Sequence, residues 1–519
     1  MAAAERRALL ALSWYGAWRG VSGRVGFATP FKVILGERRS AVYGKRSRSI
    51  GGEGIVILGS DREMLGKRFE AFVAQRPVSV RVRGVLGRAL DARRQDALFE
   101  KTAETGYTRE LLFSTLVRLM SEVVLGVSPR VHAAYQDASE PVGVSVTAVY
   151  DKLAGLEPQV STELVRDSAR QLAPVIGGLG GEAPARLPGY RVLLLDGNHL
   201  SGSEHRIKEL RRMRAAALPG QALVVLDPHG MLIVDVLPWE DAHAQERSLL
   251  EQIVPRVQPR DLWLEDRNFC TTKFLFGIHR RQGCFLVRQH ASTLPWEWLG
   301  QRKSRGRVPT GRVYEQRVRL NHPDTGESFL ARRITVELDQ PTRDGEKVIH
   351  LLTNLPVEAA NARQVAELYR KRWTMEKVFQ DLAVALTCEI HTGGYPKAAW
   401  FGFCLALVAY NAVSLLQAAL RAVHGAAKVE AEVSWYYLCR HLSKVYTGRM
   451  IALPARQWDL FRRLDVPGFA ALLRELAPQI DWRRFRQHPR GPKKPPPKKL
   501  SGVKISHVAT ARILAERSP

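Results

Sequence analysis

Cysteine is scarce in this chain, which has five in 519 residues, and the nearest pair, Cys270 and Cys284, is too widely spaced for a CxxC motif. A zinc ribbon is therefore excluded, and an odd, sparse set of cysteines is typical of a reducing compartment. Three catalytic signatures are also absent: a GxxxxGK[ST] phosphate-binding loop, a GxSxG nucleophile elbow and a histidine pair at metalloprotease spacing. These absences exclude the enzyme classes that depend on them.

Acidic residues are few relative to basic ones. The sequence has 51 Asp+Glu against 78 Lys+Arg, a formal net charge of +27. An excess of this size indicates a polyanionic partner, most simply nucleic acid, with an anionic membrane surface as the other candidate. Residues 483–504 contain nine Lys or Arg and no acid, which also favours phosphate binding.

One uncharged run, Phe401–Leu420, has the length of a membrane span. Three polar residues, Asn411, Ser414 and Gln417, interrupt it, and it follows a charged helical segment. We therefore predict a buried core helix and no membrane partner.

Short apolar runs alternate with helical segments between residues 190 and 288. The runs predict strands at Tyr190–Leu195, Ala222–Leu226, Met231–Leu237, Asp261–Asp266 and Cys284–Arg288. Strands and helices in this order predict an α/β fold, with a mixed sheet and helices on its faces. Three alternating segments within 289–356 predict an antiparallel β insertion, and helices dominate before residue 185 and after 357.

Two aspartates follow buried strands of this predicted sheet. Asp196 comes directly after Val192–Leu195, and Asp266 comes after an apolar run and Glu265. A carboxylate at the carboxyl end of a buried strand lies where open α/β sheets place their sites. A single such aspartate is more often a turn or helix cap, but two in one sheet favour a site.

A charged helix supplies a third candidate carboxylate. The spacing predicts a helix over Asn361–Leu386, capped by Asn361, in which Tyr369, Arg372 and Glu376 share one face. The alternative is a surface salt-bridge ladder, because Arg372 and Glu376 form an i,i+4 pair of the kind that stabilises a helix by a few tenths of a kcal/mol. Since the helix follows the sheet, Glu376 could also meet the two aspartates.

Three carboxylates close together require cations. Two like charges about 4 Å apart repel by roughly 4 kcal/mol at an effective dielectric constant near 20. Oxygen ligands select Mg²⁺ or Mn²⁺, and two such ions activate a water and stabilise the leaving oxygen of a phosphodiester. Convergence of Asp196, Asp266 and Glu376 would therefore predict a two-ion phosphodiesterase site.

Three short segments resemble the catalytic motifs of the DDE transposases of bacterial insertion sequences. They are Asp196-Gly-Asn-His-Leu200, Glu265-Asp-Arg-Asn-Phe269 and Tyr369-x2-Arg372-x3-Glu376. The resemblance is to the group with a β-strand insertion between the second aspartate and the glutamate, and the 110 residues from 266 to 376 leave room for it. It extends over about residues 60–510.

The resemblance implies a ribonuclease-H-like catalytic core that cuts DNA at transposon ends. Asp196, Asp266 and Glu376 would be the catalytic residues and the ligands of two Mg²⁺ ions, with Mn²⁺ as a substitute. Tyr369 and Arg372 would bind terminal phosphates, a role that suits the donor fork of arginine. The family has a lysine seven residues after the glutamate, where this chain has Ala383, and Lys377 is the nearest basic replacement, although it lies about 100° round the helix.

The same resemblance implies cut-and-paste transposition. Members of the group open the cut end through a DNA hairpin, with a flipped base stacked on a tryptophan of the insertion, and Trp296 and Trp298 are the candidates here. The alternative for both is a place in the small core of the insertion. The implied partners are double-stranded transposon-end and target DNA and a second copy of the chain on synapsed ends, and the expected location is the bacterial cytoplasm, at the nucleoid.

The predicted architecture has six segments. Gly177-Gly-Leu-Gly-Gly181 predicts a linker and supplies the first boundary within the folded part. The segments are a basic, disordered arm at 1–60, a helical DNA-binding domain at 61–185, a ribonuclease-H-like core in two parts at 188–288 and 357–425, the β-rich insertion at 289–356, and a helical region with a basic tail at 426–519.

Two other functions stay open at this stage. A catalytically impaired or repurposed relative would bind DNA through its basic surfaces alone, and Ala383 favours this reading. A membrane-associated protein would use Phe401–Leu420 and the basic tail. Divalent-metal-dependent nicking of DNA distinguishes the transposase from the first, and solubility at high salt would dismiss the second.

Overall fold

The structure is a computed structural model. It describes residues 77–105, 110–138, 142–200, 221–239, 249–290, 294–342, 345–389, 396–448, 461, 463–478 and 480–487. The arm predicted at 1–60 lies outside these residues, as does the basic tail beyond residue 487. The six-segment division stays a prediction.

A nine-stranded mixed sheet organises the described part of the chain. Its order is β3-β2-β1-β4-β5-β9-β8-β7-β6. The first five strands in the sequence are β1 (Arg191–His199), β2 (Gln221–Asp227), β3 (Leu232–Trp239), β4 (Asp261–Glu265) and β5 (Cys284–Arg288). Strands β1, β4 and β5 are parallel neighbours, whereas β2 and β3 are antiparallel additions beside β1. The predicted α/β mixed sheet is confirmed.

The insertion continues this sheet. Its strands are β6 (Trp296–Val308), β7 (Gly311–Asn321), β8 (Ser328–Leu338) and β9 (Val348–Thr353), all antiparallel to their neighbours. Strand β9 pairs with β5, so the insertion and the parallel strands share one hydrogen-bonded sheet. Three of these strands were predicted by their alternation, and the edge strand β6 was not.

An apolar core covers one face of the sheet. Helices α7 (Leu250–Ile253) and α8 (Thr272–Arg280) supply Ile253, Phe274 and Ile278, which pack with Leu193 and Trp263 of the sheet. Burial of such side chains contributes about 25 cal/mol for each Å² of apolar surface removed from water. The core extends to Val318 and Leu320 of the insertion, which therefore packs as part of the same body.

Helices precede the sheet and return after it. The first group is α1 (Pro77–Ala89), α2 (Ala92–Thr102), α3 (Phe113–Val124), α4 (Val131–Gln136), α5 (Val146–Gly155) and α6 (Pro158–Leu179). The second is α9 (Ala362–Arg370), α10 (Thr374–Ala385), α11 (Pro396–His424), α12 (Ala426–Glu432), α13 (Trp435–Gly448) and α14 (Val466–Leu476). Helix α11 contacts α1, α3, α5 and α6, and α10 contacts β1.

The long helix α11 is the core helix that the sequence predicted. By length and composition, Lys397–His424 is the one candidate for a membrane span among the described residues, and 94% of its most apolar window is buried by protein. Its polar Asn411 accepts a hydrogen bond from the Ile233 amide at 2.7 Å and donates to the Ile233 carbonyl at 2.9 Å. Asn411 thus binds backbone groups of β3 at a buried position, which explains an amide within an apolar run.

The glycine run at 177–181 is not a free linker. Gly177 and Gly178 lie in α6, and Gly180 ends that helix in the left-handed conformation, with φ 61°. A Cβ atom on Gly181 would lie 2.2 Å from the carbonyl oxygen of Ala418 in α11. The glycines therefore terminate a helix and permit close packing, a use of glycine that composition alone does not distinguish from a linker.

Candidate active site

The two predicted aspartates directly follow the last paired residues of two neighbouring parallel strands; β1 continues beyond Asp196 to His199 and is therefore longer than the sequence predicted, whereas β4 ends before Asp266. Strands β1 and β4 pair in register up to Leu195 opposite Glu265. The next residue along the chain is an aspartate in both cases, Asp196 within β1 and Asp266 just after β4, and adjacent strands are about 4.8 Å apart. The parallel pairing therefore brings both carboxylates to the same edge of the sheet.

The helix that carries the third acid is interrupted, contrary to the single helix that the sequence predicts. Helix α9 begins with the predicted Asn361 cap and ends at Arg370, residues Lys371–Trp373 form a 3₁₀ turn, and α10 begins at Thr374. A 3₁₀ segment turns 120° per residue rather than 100°, so it changes the direction of side chains beyond it.

Arg372 joins two of the three predicted acids. Its Nη1 donates to Asp196 Oδ2 at 3.0 Å, and its Nη2 donates to Glu376 Oε1 at 3.1 Å. The side chains of Arg372 and Asp196 are buried, and that of Glu376 is 34% exposed. Glu376 therefore lies on the sheet side of its helix, within reach of the strand ends, and not on the far side in bulk solvent.

The remaining acid, Asp266, acts on the same cluster through its charge. Its Oδ1 accepts a hydrogen bond from the Arg267 amide, at the start of the 3₁₀ helix Arg267–Phe269. Burial alone lowers the pKa of Arg372, but the net shift is upward because of the neighbouring Asp196, Tyr369, Asp266 and Glu376. The guanidinium is thus held in its charged form at the centre of the acidic cluster.

Tyr369 lies beside this cluster at the end of α9. Burial raises the pKa of the Tyr369 phenol, and the charge of Asp266 raises it further, whereas Arg372 and Arg288 act in the opposite direction. The hydroxyl therefore stays protonated at neutral pH and remains a hydrogen-bond donor.

The cluster has the donor chemistry of a hard-cation site but not a formed chelate. Asp196 and Glu376 already converge on one cation, the Arg372 guanidinium, and their donor atoms are carboxylate oxygens, which Mg²⁺ and Mn²⁺ prefer. Within the described part of the chain, however, no three His, Cys, Asp or Glu side chains form a group that could hold a metal ion. The carboxylates suit these ions chemically, and the Arg372 guanidinium lies between two of the carboxylates, those of Asp196 and Glu376.

One comparison with known proteins finds a match over the part of the chain that contains this cluster. The family model described as "Transposase DDE domain" matches residues 187–412, which is under half of the chain. The match supports a DDE transposase. The matched range includes Asp196, Asp266 and Glu376, and it supports DNA transposition as the class of activity.

Other similarities are weak. No curated protein matches the chain. One similar solved structure is a cryo-EM structure of a piggyBac transposase synaptic complex with hairpin DNA, at 11% identity and a TM-score of 0.33, over 72% of this chain and 81% of that one. At these values the likeness carries no weight for fold, site or partner.

The predicted tryptophans lie elsewhere on the sheet. Trp296 and Trp298 are on β6, six strand positions from β1, which is roughly 29 Å along a sheet with strands about 4.8 Å apart. The Arg333 guanidinium lies 5.8 Å from the ring centre of Trp296 and 5.0 Å from that of Trp298. Trp296 packs against the core, as the alternative for it expected, whereas Trp298 is 50% exposed.

The predicted basic substitute is exposed. Lys377 and Ala383 both lie on the solvent side of α10. Neither lies among the buried groups around Arg372, so the structure assigns no contact with the cluster to Lys377.

Three residues near the cluster escaped the sequence analysis. Trp373, next to Arg372 in the 3₁₀ turn, is 65% exposed. The single continuous helix predicted from the sequence did not indicate this exposure. Arg288, at the end of β5, influences Tyr369. Arg186 precedes β1 and contacts the turn itself. A basic residue at a strand end was the available signal for Arg288, whereas no sequence signal marks Arg186.

Proposed function

We propose that this protein is a cut-and-paste DNA transposase that cleaves DNA strands at the ends of an insertion sequence and transfers them to target DNA. Asp196, Asp266 and Glu376 are the proposed catalytic residues and ligands of two Mg²⁺ or Mn²⁺ ions. The observation that carries the proposal is the meeting of Asp196 and Glu376, 180 residues apart, on one buried guanidinium, with Asp266 on the adjacent strand.

The proposed division of roles follows from the chemistry of the residues. When bound, the two ions would activate the attacking water and stabilise the leaving oxygen. Tyr369 keeps its proton and donates to a phosphate oxygen, and Arg372 presents a charged, bidentate donor. Arg372 therefore has two alternative anionic partners, the acids of the cluster and a DNA phosphate.

A ribonuclease-H-like core is part of the proposal. It is supported by the order β3-β2-β1-β4-β5, with two antiparallel strands beside three parallel ones, and by acids that directly follow the last paired residues of β1 and β4. Double-stranded DNA as partner is supported by the domain match and by the net charge of +27. A homodimer on synapsed ends and a place at the bacterial nucleoid complete the proposal.

An exposed aromatic ring near the proposed cut site has two candidate locations. Trp298 was predicted from the insertion and is half exposed, and its strand β6 is six positions from β1 in the order of the sheet. Trp373 is more exposed and is the next residue after Arg372. Position therefore favours Trp373 as the stacking surface for a base at the cut site.

A second candidate function is a relative that binds DNA without cutting it. Ala383 favours this alternative, because a methyl group on the exposed side of α10 cannot bind a phosphate. The arrangement of Arg372 between two acids is compatible with both functions.

Cleavage of the DNA that flanks the gene tests the two functions directly. The full chain is incubated with that DNA and Mg²⁺, and the cleaved ends are mapped. We expect cuts at defined ends, loss of cutting in D196A, D266A and E376A, and DNA affinity within about twofold of the wild type. Cleavage at the wild-type rate by any one variant rejects that residue, and no cleavage by the wild type favours the non-catalytic relative.

A further inference from the structure

The 3₁₀ turn between α9 and α10 is bound by a side chain from outside the helix. Arg186, in the segment that precedes β1, donates from Nη1 to the Lys371 carbonyl and from Nη2 to Thr374 Oγ1, both at 2.8 Å. Thr374 Oγ1 in turn donates to the Lys371 carbonyl at 2.8 Å. The two ends of the turn are thus joined through one guanidinium.

The location of Arg186 connects the turn to the sheet. Arg186 is ten residues before Asp196, and the strand between them, β1, contacts α10. The turn holds Arg372, and α10 holds Glu376, so the segment that leads into the strand of the first acid also binds the helix of the third. The guanidinium of Arg186 is therefore placed to fix the helix relative to the strand end.

This placement has an electrostatic cost. Burial lowers the pKa of Arg186 to about 10, and the charges of Glu430 and Asp227 oppose that shift only partly. Arg186 is half-buried, and its guanidinium donates to a backbone carbonyl and a hydroxyl, which offsets part of the cost of removing it from water. That carbonyl belongs to Lys371, at the helix interruption.

We propose that Arg186 is a positioning residue, which fixes the 3₁₀ turn at 371–373 so that Arg372 and Glu376 face Asp196. It acts through the Lys371 carbonyl and the Thr374 hydroxyl, without contact with the acids, and the proposal rests on the proposed function. Loss of the guanidinium lets the turn relax toward a continuous helix, which changes the directions of Arg372 and Glu376.

Two matched variants separate positioning from general stability. R186M removes two hydrogen bonds to the turn. R281M removes a comparable pair, from Arg281 to the carbonyls of Val257 and Pro255, at the end of α8 and away from the acids. R186K keeps the charge. T374V removes the Thr374 hydroxyl, which accepts from Arg186 and donates to the Lys371 carbonyl. Melting temperature, DNA affinity, single-turnover cleavage and amide hydrogen exchange of residues 372–376 are measured for each full-length variant.

We expect R186M to cleave about 10- to 100-fold more slowly than R281M at similar melting temperature, with DNA affinity changed by less than about twofold. Amides of 372–376 should exchange about tenfold faster in R186M and at the wild-type rate in R281M. R186K should recover part of the cleavage rate and part of the protection from exchange. R186M/T374V should cleave no more slowly than R186M. Equal cleavage by R186M and R281M overturns the proposal. If the wild type does not cleave, the proposed function fails, and unchanged exchange in R186M then overturns the positioning role, whereas faster exchange supports it.

Discussion

Arg372 is the residue on which the candidate site depends. A buried guanidinium with two carboxylate partners is held by two charge-assisted hydrogen bonds, and each has the geometry that a planar donor fork provides. Removing either carboxylate leaves a buried charge with fewer partners, which is more unfavourable than the loss of a surface ion pair. The i,i+4 pair with Glu376 is therefore not the surface ladder that the sequence offered as an alternative.

Replacing Arg372 with lysine tests the need for a fork. The single ammonium of R372K keeps the charge, but it cannot donate along two fixed directions to Asp196 and Glu376. We expect single-turnover cleavage to fall roughly 10- to 100-fold, the equivalent of about 1.4–2.8 kcal/mol, with the melting temperature nearly unchanged. The control is R363K, at an exposed position in the first turn of α9. Wild-type cleavage by R372K would contradict a bidentate role.

At the scale of helices and strands, the spacing of apolar and capping residues predicted those elements whose form depends mainly on nearby sequence. Alternating apolar residues identified β7 and β8, and Asn361 identified the start of α9. Strand β6 was missed because its sequence is mostly polar and basic, and exposed at the sheet edge, so it lacks the alternation of a half-buried strand. The interruption at 371–373 was not predicted, and the side chain that binds it from outside the helix, Arg186, is far away in sequence.

The close packing of Gly181 against α11 gives a prediction for stability. A Cβ atom at this position would lie 2.2 Å from the Ala418 carbonyl oxygen, so G181A must shift either the segment that follows α6 or the backbone of α11. We expect the free energy of unfolding to fall by about 1–3 kcal/mol, measured by urea denaturation. The control is G87A in α1, where a Cβ atom meets nothing within 4 Å. Equal stability of the two variants would show that 177–181 behaves as the linker first predicted.

His350 in β9 gives the insertion a predicted pH dependence. Burial, with the charges of Arg333, Arg302 and Arg288, lowers its pKa to about 4 from the ordinary 6.5. Between these values the unfolded chain takes up a proton that the folded chain excludes, so folding stability falls as the pH drops from 6.5 toward 4. We expect the melting temperature to fall more between pH 7 and pH 5 for the wild type than for H350Q. Parallel pH profiles for the two proteins would refute this effect.

At the scale of the whole molecule, charge and topology act together. The net charge of +27 favours any nucleic acid, and it carries no information about where a cut is made. Position comes from the parallel pairing of β1 with β4 and from the contact of α10 with β1, which bring distant acids to one edge. The aspartates could be predicted from sequence because each follows an apolar run that forms a strand, whereas the cation that joins Asp196 to Glu376 could be identified only from the fold.

Binding of Mn²⁺ to the DNA-free protein tests most directly whether these acids share one cation position. The measurement is the free Mn²⁺ signal in electron paramagnetic resonance during titration of the wild type, R372A and R372A/D196N. Because R372A removes a competing cation from the acids, we predict that it binds Mn²⁺ at least about tenfold more tightly than the wild type, and that D196N abolishes the gain. Equal Mn²⁺ affinity of all three proteins would contradict a shared cation site at Asp196, Asp266 and Glu376.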